Sequence, residues 1–78
     1  MSPRQPVVSG KRLIVVLEGV GCRAVRQKGS HVRLRHADSA AHRPVTVPLH
    51  GELRVGLLRA ILGDAGITPE EFARLLEG

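Results

Sequence analysis

Leu13, Val16, Leu17 and Val20 stand at i, i+3, i+4 and i+7, the spacing of one apolar stripe along a helix. Ser9 can cap the start of that helix, and Gly21 is placed to end it in a left-handed conformation. The run from Leu13 to Leu17 is also rich in β-branched residues, so a strand is the competing reading; the helical spacing is preferred. Ahead of it, Pro3 and Pro6 interrupt any regular pattern, and residues 1–8 read as a flexible arm before a single domain over 9–78.

Two short runs follow, Arg23 to Lys28 and His31 to His36, separated by Gly29-Ser30, a dipeptide suited to a II′ hairpin turn. That turn sets Lys28 against His31, Gln27 against Val32, Arg26 against Arg33, Val25 against Leu34 and Ala24 against Arg35. Alternation then sends Val25, Val32 and Leu34 to the core and Arg26, Lys28, His31, Arg33 and Arg35 to the opposite face. A third alternating segment, Pro44 to Leu49, points Val45, Val47 and Leu49 inward and Thr46 outward, and its prolines fit a short edge strand.

Leu57, Leu58, Ile61, Leu62 and Ala65 give the apolar face of a second helix over about Val55 to Asp64, closed by Gly66. A last, short helix has the clearest start signal in the chain: Thr68 as N-cap, Pro69 at the first helical position and Glu71 completing a capping box. Its stripe is Phe72, Leu75 and Leu76. The expectation is an α+β fold in the order α-β-β-β-α, a three-stranded antiparallel sheet packed on helices, with a short extra C-terminal helix.

A chain of 78 residues makes one small domain, able to bury about 60% of the surface its unfolded form exposes. Its apolar content is almost wholly aliphatic, with Phe72 the single aromatic, and this disfavours modules that read single-stranded RNA by stacking bases on a sheet. Recognition directed at a phosphate backbone stays open. One cysteine, Cys22, cannot form an internal disulfide, which fits a reducing, cytoplasmic setting. The first residues hold no apolar segment of an export signal, and no aliphatic run approaches the roughly 20 residues of a membrane span.

Charge sharpens the picture. The net charge is +5, yet from Asp64 onward four acids face a single Arg74, so the cations belong to the earlier part of the chain. Five of them, Arg23, Arg26, Lys28, Arg33 and Arg35, fall within the hairpin with no Asp or Glu between. Cations set opposite one another repel, and a polyanion relieves that repulsion. A phosphodiester is the polyanion that a histidine can cleave, and His31 follows the turn among these cations. The bland alternatives are a solvated strand face and a polar residue after a tight turn.

Other constellations carry less. His36, His42 and His50 with Cys22 match no closed zinc pattern, so no metal site is expected. His50 reads as a turn residue. Ser30 has no carboxylate-oriented histidine to activate it as a nucleophile, and reads as a turn residue able to donate a hydrogen bond to phosphate.

The stretch Arg26-Gln27-Lys28-Gly29-Ser30-His31, then Val45-Thr46-Val47-Pro48-Leu49-His50, then Gly56, Leu58 through Leu62 and Ala65-Gly66 resembles the HicA family of toxins over roughly residues 9 to 72. The resemblance implies a fold like a double-stranded RNA-binding domain, and an mRNA interferase held inactive by an antitoxin, HicB, that covers its active site. It also implies that His31, after the Gly-Ser pair, is the catalytic histidine. This chain departs from the family pattern at Cys22, where Phe is common, at Val32, Arg33 and Leu34, where aromatics or further histidines are common, and at Leu57, where Thr is usual. These departures flank the site and bear on substrate preference.

The leading expectation is thus a toxin that cleaves mRNA as a metal-independent endoribonuclease, with no cofactor and no membrane partner. His31 acts as general acid or base, Arg26, Lys28, Ser30, Arg33 and Arg35 hold RNA, and Gly29 makes the turn. Two alternatives remain: a non-catalytic RNA-binding module of the same fold, and an interaction domain whose basic face docks an acidic protein.

Overall fold

The computed structural model describes residues 7–77. Ser9 caps helix α1 (Gly10–Gly19), its Oγ accepting a hydrogen bond from the Arg12 backbone N–H at 3.0 Å. Leu13, Val16 and Leu17 are buried along one side with Val20 partly buried beyond them, while Val15 points outward. The 3.6-residue stripe therefore prevails over the β-branched composition. Val20 is the C-cap, and Gly21 follows at φ +103° before the chain turns into the sheet.

Strands β1 (Cys22–Lys28), β2 (His31–His36) and β3 (Val45–Pro48) form an antiparallel sheet in the order β1-β2-β3, so β3 is an edge strand as expected. Near the turn the register is the expected one: Lys28 opposes His31, Gln27 opposes Val32 and Arg26 opposes Arg33. Beyond that it shifts. A bulge between Ala24 and Arg26 leaves Val25 without a partner, and Ala24 faces Leu34, Arg23 faces Arg35 and Cys22 faces His36. The expected pairings of Val25 with Leu34 and of Ala24 with Arg35 are corrected accordingly, and Val25 is an exposed residue rather than a core one.

The helices cover one face of the sheet. Leu13 and Leu17 of α1 meet Leu34 and Val47 of the sheet and Leu58 of α2 (Val55–Ala65) in one core, closed by Phe72 of α3 (Pro69–Glu77). Helix α2 docks through Leu58, Ile61, Leu62 and Ala65 and ends at Gly66, which is left-handed at φ +74°. Leu57, expected on that face, is exposed because it flanks the i, i+3, i+4, i+7 stripe that faces the sheet. Leu49, expected inward, is exposed as well: β3 ends at Pro48, and the Leu49 N–H turns to the Ser30 carbonyl at 2.7 Å. Thr68 accepts the Glu71 backbone N–H at 3.1 Å, as its capping position predicts.

Of the arm expected over 1–8, residues 1–6 lie outside the described residues; Val8 is a core residue, and its carbonyl accepts from the Leu53 N–H at 2.8 Å. Burial pushes the Cys22 thiol above its usual range, leaving it less thiolate than a free cysteine. Among the described residues no helix is long and apolar enough to cross a membrane.

Two histidines fasten the loop between β2 and β3. The Asp38 N–H donates to His36 Nδ1 at 2.8 Å, so Nε2 carries the proton that bonds the Val20 carbonyl at 2.9 Å. His42 Nδ1 reaches the Ala65 carbonyl at 3.0 Å, and the two rings lie against each other with centroids 3.9 Å apart and planes tilted by 35°. Both satisfy carbonyls where helices end.

Close packing at the start of α1 yields a test. The Gly10 N–H bonds the His50 carbonyl at 2.9 Å, and a Cβ at Gly10 would run into the Pro48 carbonyl oxygen. Gly10→Ala is expected to cost about 1–3 kcal/mol in urea unfolding. Gly63→Ala, in α2 with open space around it, is expected to gain about 0.5–1 kcal/mol.

Candidate nucleic-acid interface and active site

The hairpin turn is held from both sides. Gly29 takes φ +59° while Ser30 stays at negative φ, as a II′ turn requires. Gln27 Nε2 donates to the Gly29 carbonyl at 3.0 Å, and the Ser30 carbonyl accepts the Leu49 N–H. His31, the first residue of β2, is thereby fixed between Lys28 on one side and Pro48 on the other. Its side chain is exposed on the face turned away from the helices.

That face is a ladder of cations. Arg26 stands opposite Arg33, and Arg23 opposite Arg35, with all four side chains exposed. On the third strand Thr46 faces Arg33 and accepts from its Nη1 at 3.5 Å. No residue of β1, β2 or β3 is acidic, so nothing within the sheet neutralises the ladder. The field above it favours an anion long enough to meet several cations at once.

The structure brings Arg26, Lys28, His31, Arg33 and Arg35 onto one face, with Ser30 and Gly29 in the turn beside His31. It adds Arg23, which simple alternation points into the core. The bulge reverses the phase of the strand beyond Val25, so Cys22 goes into the core, Ala24 stands opposite Leu34 but stays exposed, and Arg23 goes outward. The sequence carries one sign of this: Ala24 and Val25 are consecutive apolar residues, which a strictly alternating strand would not place together.

The remaining histidines stay apart from this face in what they bond. His36 and His42 serve the loop, and His50 is engaged through its carbonyl by Gly10. Among the described residues no three His, Cys, Asp or Glu side chains gather in a group that could hold a metal ion.

Fold and face together define a class: a small α+β domain that buries one side of a three-stranded sheet under helices and leaves the other side basic, with a histidine at the hairpin. Comparison with protein-family models makes it particular. The model described as the HicA toxin of bacterial toxin-antitoxin systems matches residues 10–67, most of the chain, and the chain belongs to that family. It is therefore the toxin of a toxin–antitoxin pair, and membership implies a partner antitoxin. No curated relative matches the sequence. The match ends before α3, the helix that supplies Phe72 to the core.

The bulge gives a sharp expectation. Removing Val25 leaves Arg26 opposite Arg33, Ala24 opposite Leu34 and Arg23 opposite Arg35 in an uninterrupted ladder. A chain lacking Val25 is expected to unfold cooperatively with the β1–β2 cross-strand amide contacts retained by NMR. A chain lacking Arg33, whose loss shifts both ladders of β2, is expected to lose cooperative unfolding.

Proposed function

We propose that this toxin is a metal-independent endoribonuclease that cleaves mRNA on the basic sheet face, with His31 as the general acid or base. The observation that carries the reading is the placement of one exposed imidazole on a rigid turn at the end of an acid-free ladder of cations. Family membership supports it.

RNA supplies its own nucleophile. The 2′-hydroxyl attacks the adjacent phosphorus, the O2′–P bond forms as the P–O5′ bond breaks, and the products are a cyclic phosphate and a 5′-hydroxyl. One proton leaves the 2′-oxygen and one must reach the departing 5′-oxygen. An imidazole can accept a proton at one nitrogen and donate one when protonated, so His31 serves one of these transfers, a contribution of about 10² to 10⁴ in rate. Lys28, opposite His31, and Arg26 and Arg33 two pairs along, the next on the same face, are placed to stabilise charge that develops on the phosphoryl oxygens. Arg35 and the Ser30 hydroxyl hold neighbouring parts of the backbone. DNA lacks the 2′-hydroxyl and is not a substrate. The step as written requires no metal or cofactor.

The partner in this account is a HicB-like antitoxin that presents acidic groups to the same face. It would cover His31 and relieve the repulsion among the arginines, so inhibition and substrate binding compete for one surface.

The test is cleavage of end-labelled RNA and matched DNA in EDTA by the protein and its His31→Ala variant. Cleavage of RNA alone is expected, falling by at least about 10² in the variant while RNA affinity is retained. RNA bound but cut by neither protein would instead favour a non-catalytic RNA-binding module.

A further inference from the structure

At the end of the ladder farthest from the turn, Arg23 and Arg35 are directly opposed, a position that brings Cβ atoms to about 5 Å. Beside them lies a cleft of about 610 Å³ lined by Gly21, Cys22, Arg23, Arg35, His36 and Ala37. Its walls are built. The Ala37 N–H bonds the Gly21 carbonyl at 3.2 Å, and the His36 ring is held between Val20 and Asp38. Gly21 leaves room for that ring, since a Cβ there would stand 2.8 Å from His36 Nε2. Asp38 and Glu18, the acids nearest in sequence, do not line the cleft.

Two opposed guanidinium groups over a firm, acid-free cleft offer paired donors to one oxyanion, which is how arginine binds phosphate. Arg35 lies four residues along β2 from His31, about 13 Å at strand rise. That distance corresponds to about two nucleotides of an extended strand or about four of a stacked one. We propose that Arg23 and Arg35, brought together by the bulge, form a second phosphate subsite that grips the RNA backbone remote from the scissile bond. The proposal rests on the reading of this face as the RNA site.

The subsite makes the enzyme measure length. A strand too short to span from His31 to Arg35 forfeits the remote grip, and binding energy made away from the reacting atoms is what aligns the 2′-oxygen for attack. Arg23 is thus a binding residue that alternation in the sequence assigns to the wrong side of the strand.

The experiment measures affinity of oligoribonucleotides from about two to about eight nucleotides, bracketing that span, for the full chain carrying His31→Ala. It is repeated with Arg23→Gln and with Arg23→Lys added, each checked by thermal unfolding. With Arg23 present, affinity should rise in a step once the strand spans the face. Arg23→Gln should remove most of the step and reduce the slope of log affinity against log salt by about 0.7, the value for one phosphate contact on a single strand. Arg23→Lys should restore the slope and part of the step. An unchanged step and slope in a folded Arg23→Gln protein would overturn the subsite alone, whereas absence of RNA binding at every length would overturn the RNA reading and the subsite with it.

Discussion

Strand β2 is hydrogen-bonded on both edges, and its pleat divides the molecule. Val32 and Leu34 point down into the core with Leu13, Leu17 and Leu58, while His31, Arg33 and Arg35 point up into solvent. Because the period is two, these placements are locked together: burying Leu34 obliges Arg33 and Arg35 to share the other face. The apolar core therefore acts as the positioning device for the cations. Like charges opposed across a ladder are unfavourable by themselves, and they persist here because the side chains that cannot be moved independently of them are the ones that hold the fold.

The bulge in β1 extends this device. An edge strand with an extra residue twists more strongly and presents a poorer template for pairing with another chain, which protects an exposed edge. Here it also changes the phase of the strand, so that Cys22 enters the core and Arg23 joins the outer face. The loop beyond β2 is then secured by His36 and His42 on the carbonyls of Val20 and Ala65, at the ends of α1 and α2. Histidines close to a basic face invite a catalytic reading; these two are explained by the helix ends they satisfy.

Much of this was legible from spacing. The stripe of α1, the caps at Ser9 and Thr68, the Gly29-Ser30 turn and the face carrying Arg26, Lys28, His31, Arg33 and Arg35 all follow from local rules that the tertiary structure respects. The misplacements share a cause. Val25 and Leu49 lie where a strand departs from regular pairing, and Leu57 lies at the margin of a helical stripe, so in each case an apolar residue was assigned inward by a period that stops or drifts before reaching it. Arg23 is hidden from a sequence reading for the converse reason, since nothing in its own chemistry marks it and only the pairing of its neighbours turns it outward.

The central claim is that the imidazole at the hairpin promotes attack by the RNA's own 2′-hydroxyl across an acid-free sheet face. The most direct measurement is mass spectrometry of the ends of the cleavage products. The account predicts a 2′,3′-cyclic phosphate, or the monophosphate it hydrolyses to, on one fragment and a 5′-hydroxyl on the other. A 5′-phosphate with a 3′-hydroxyl would mean that water attacked the phosphorus, and would contradict the mechanism.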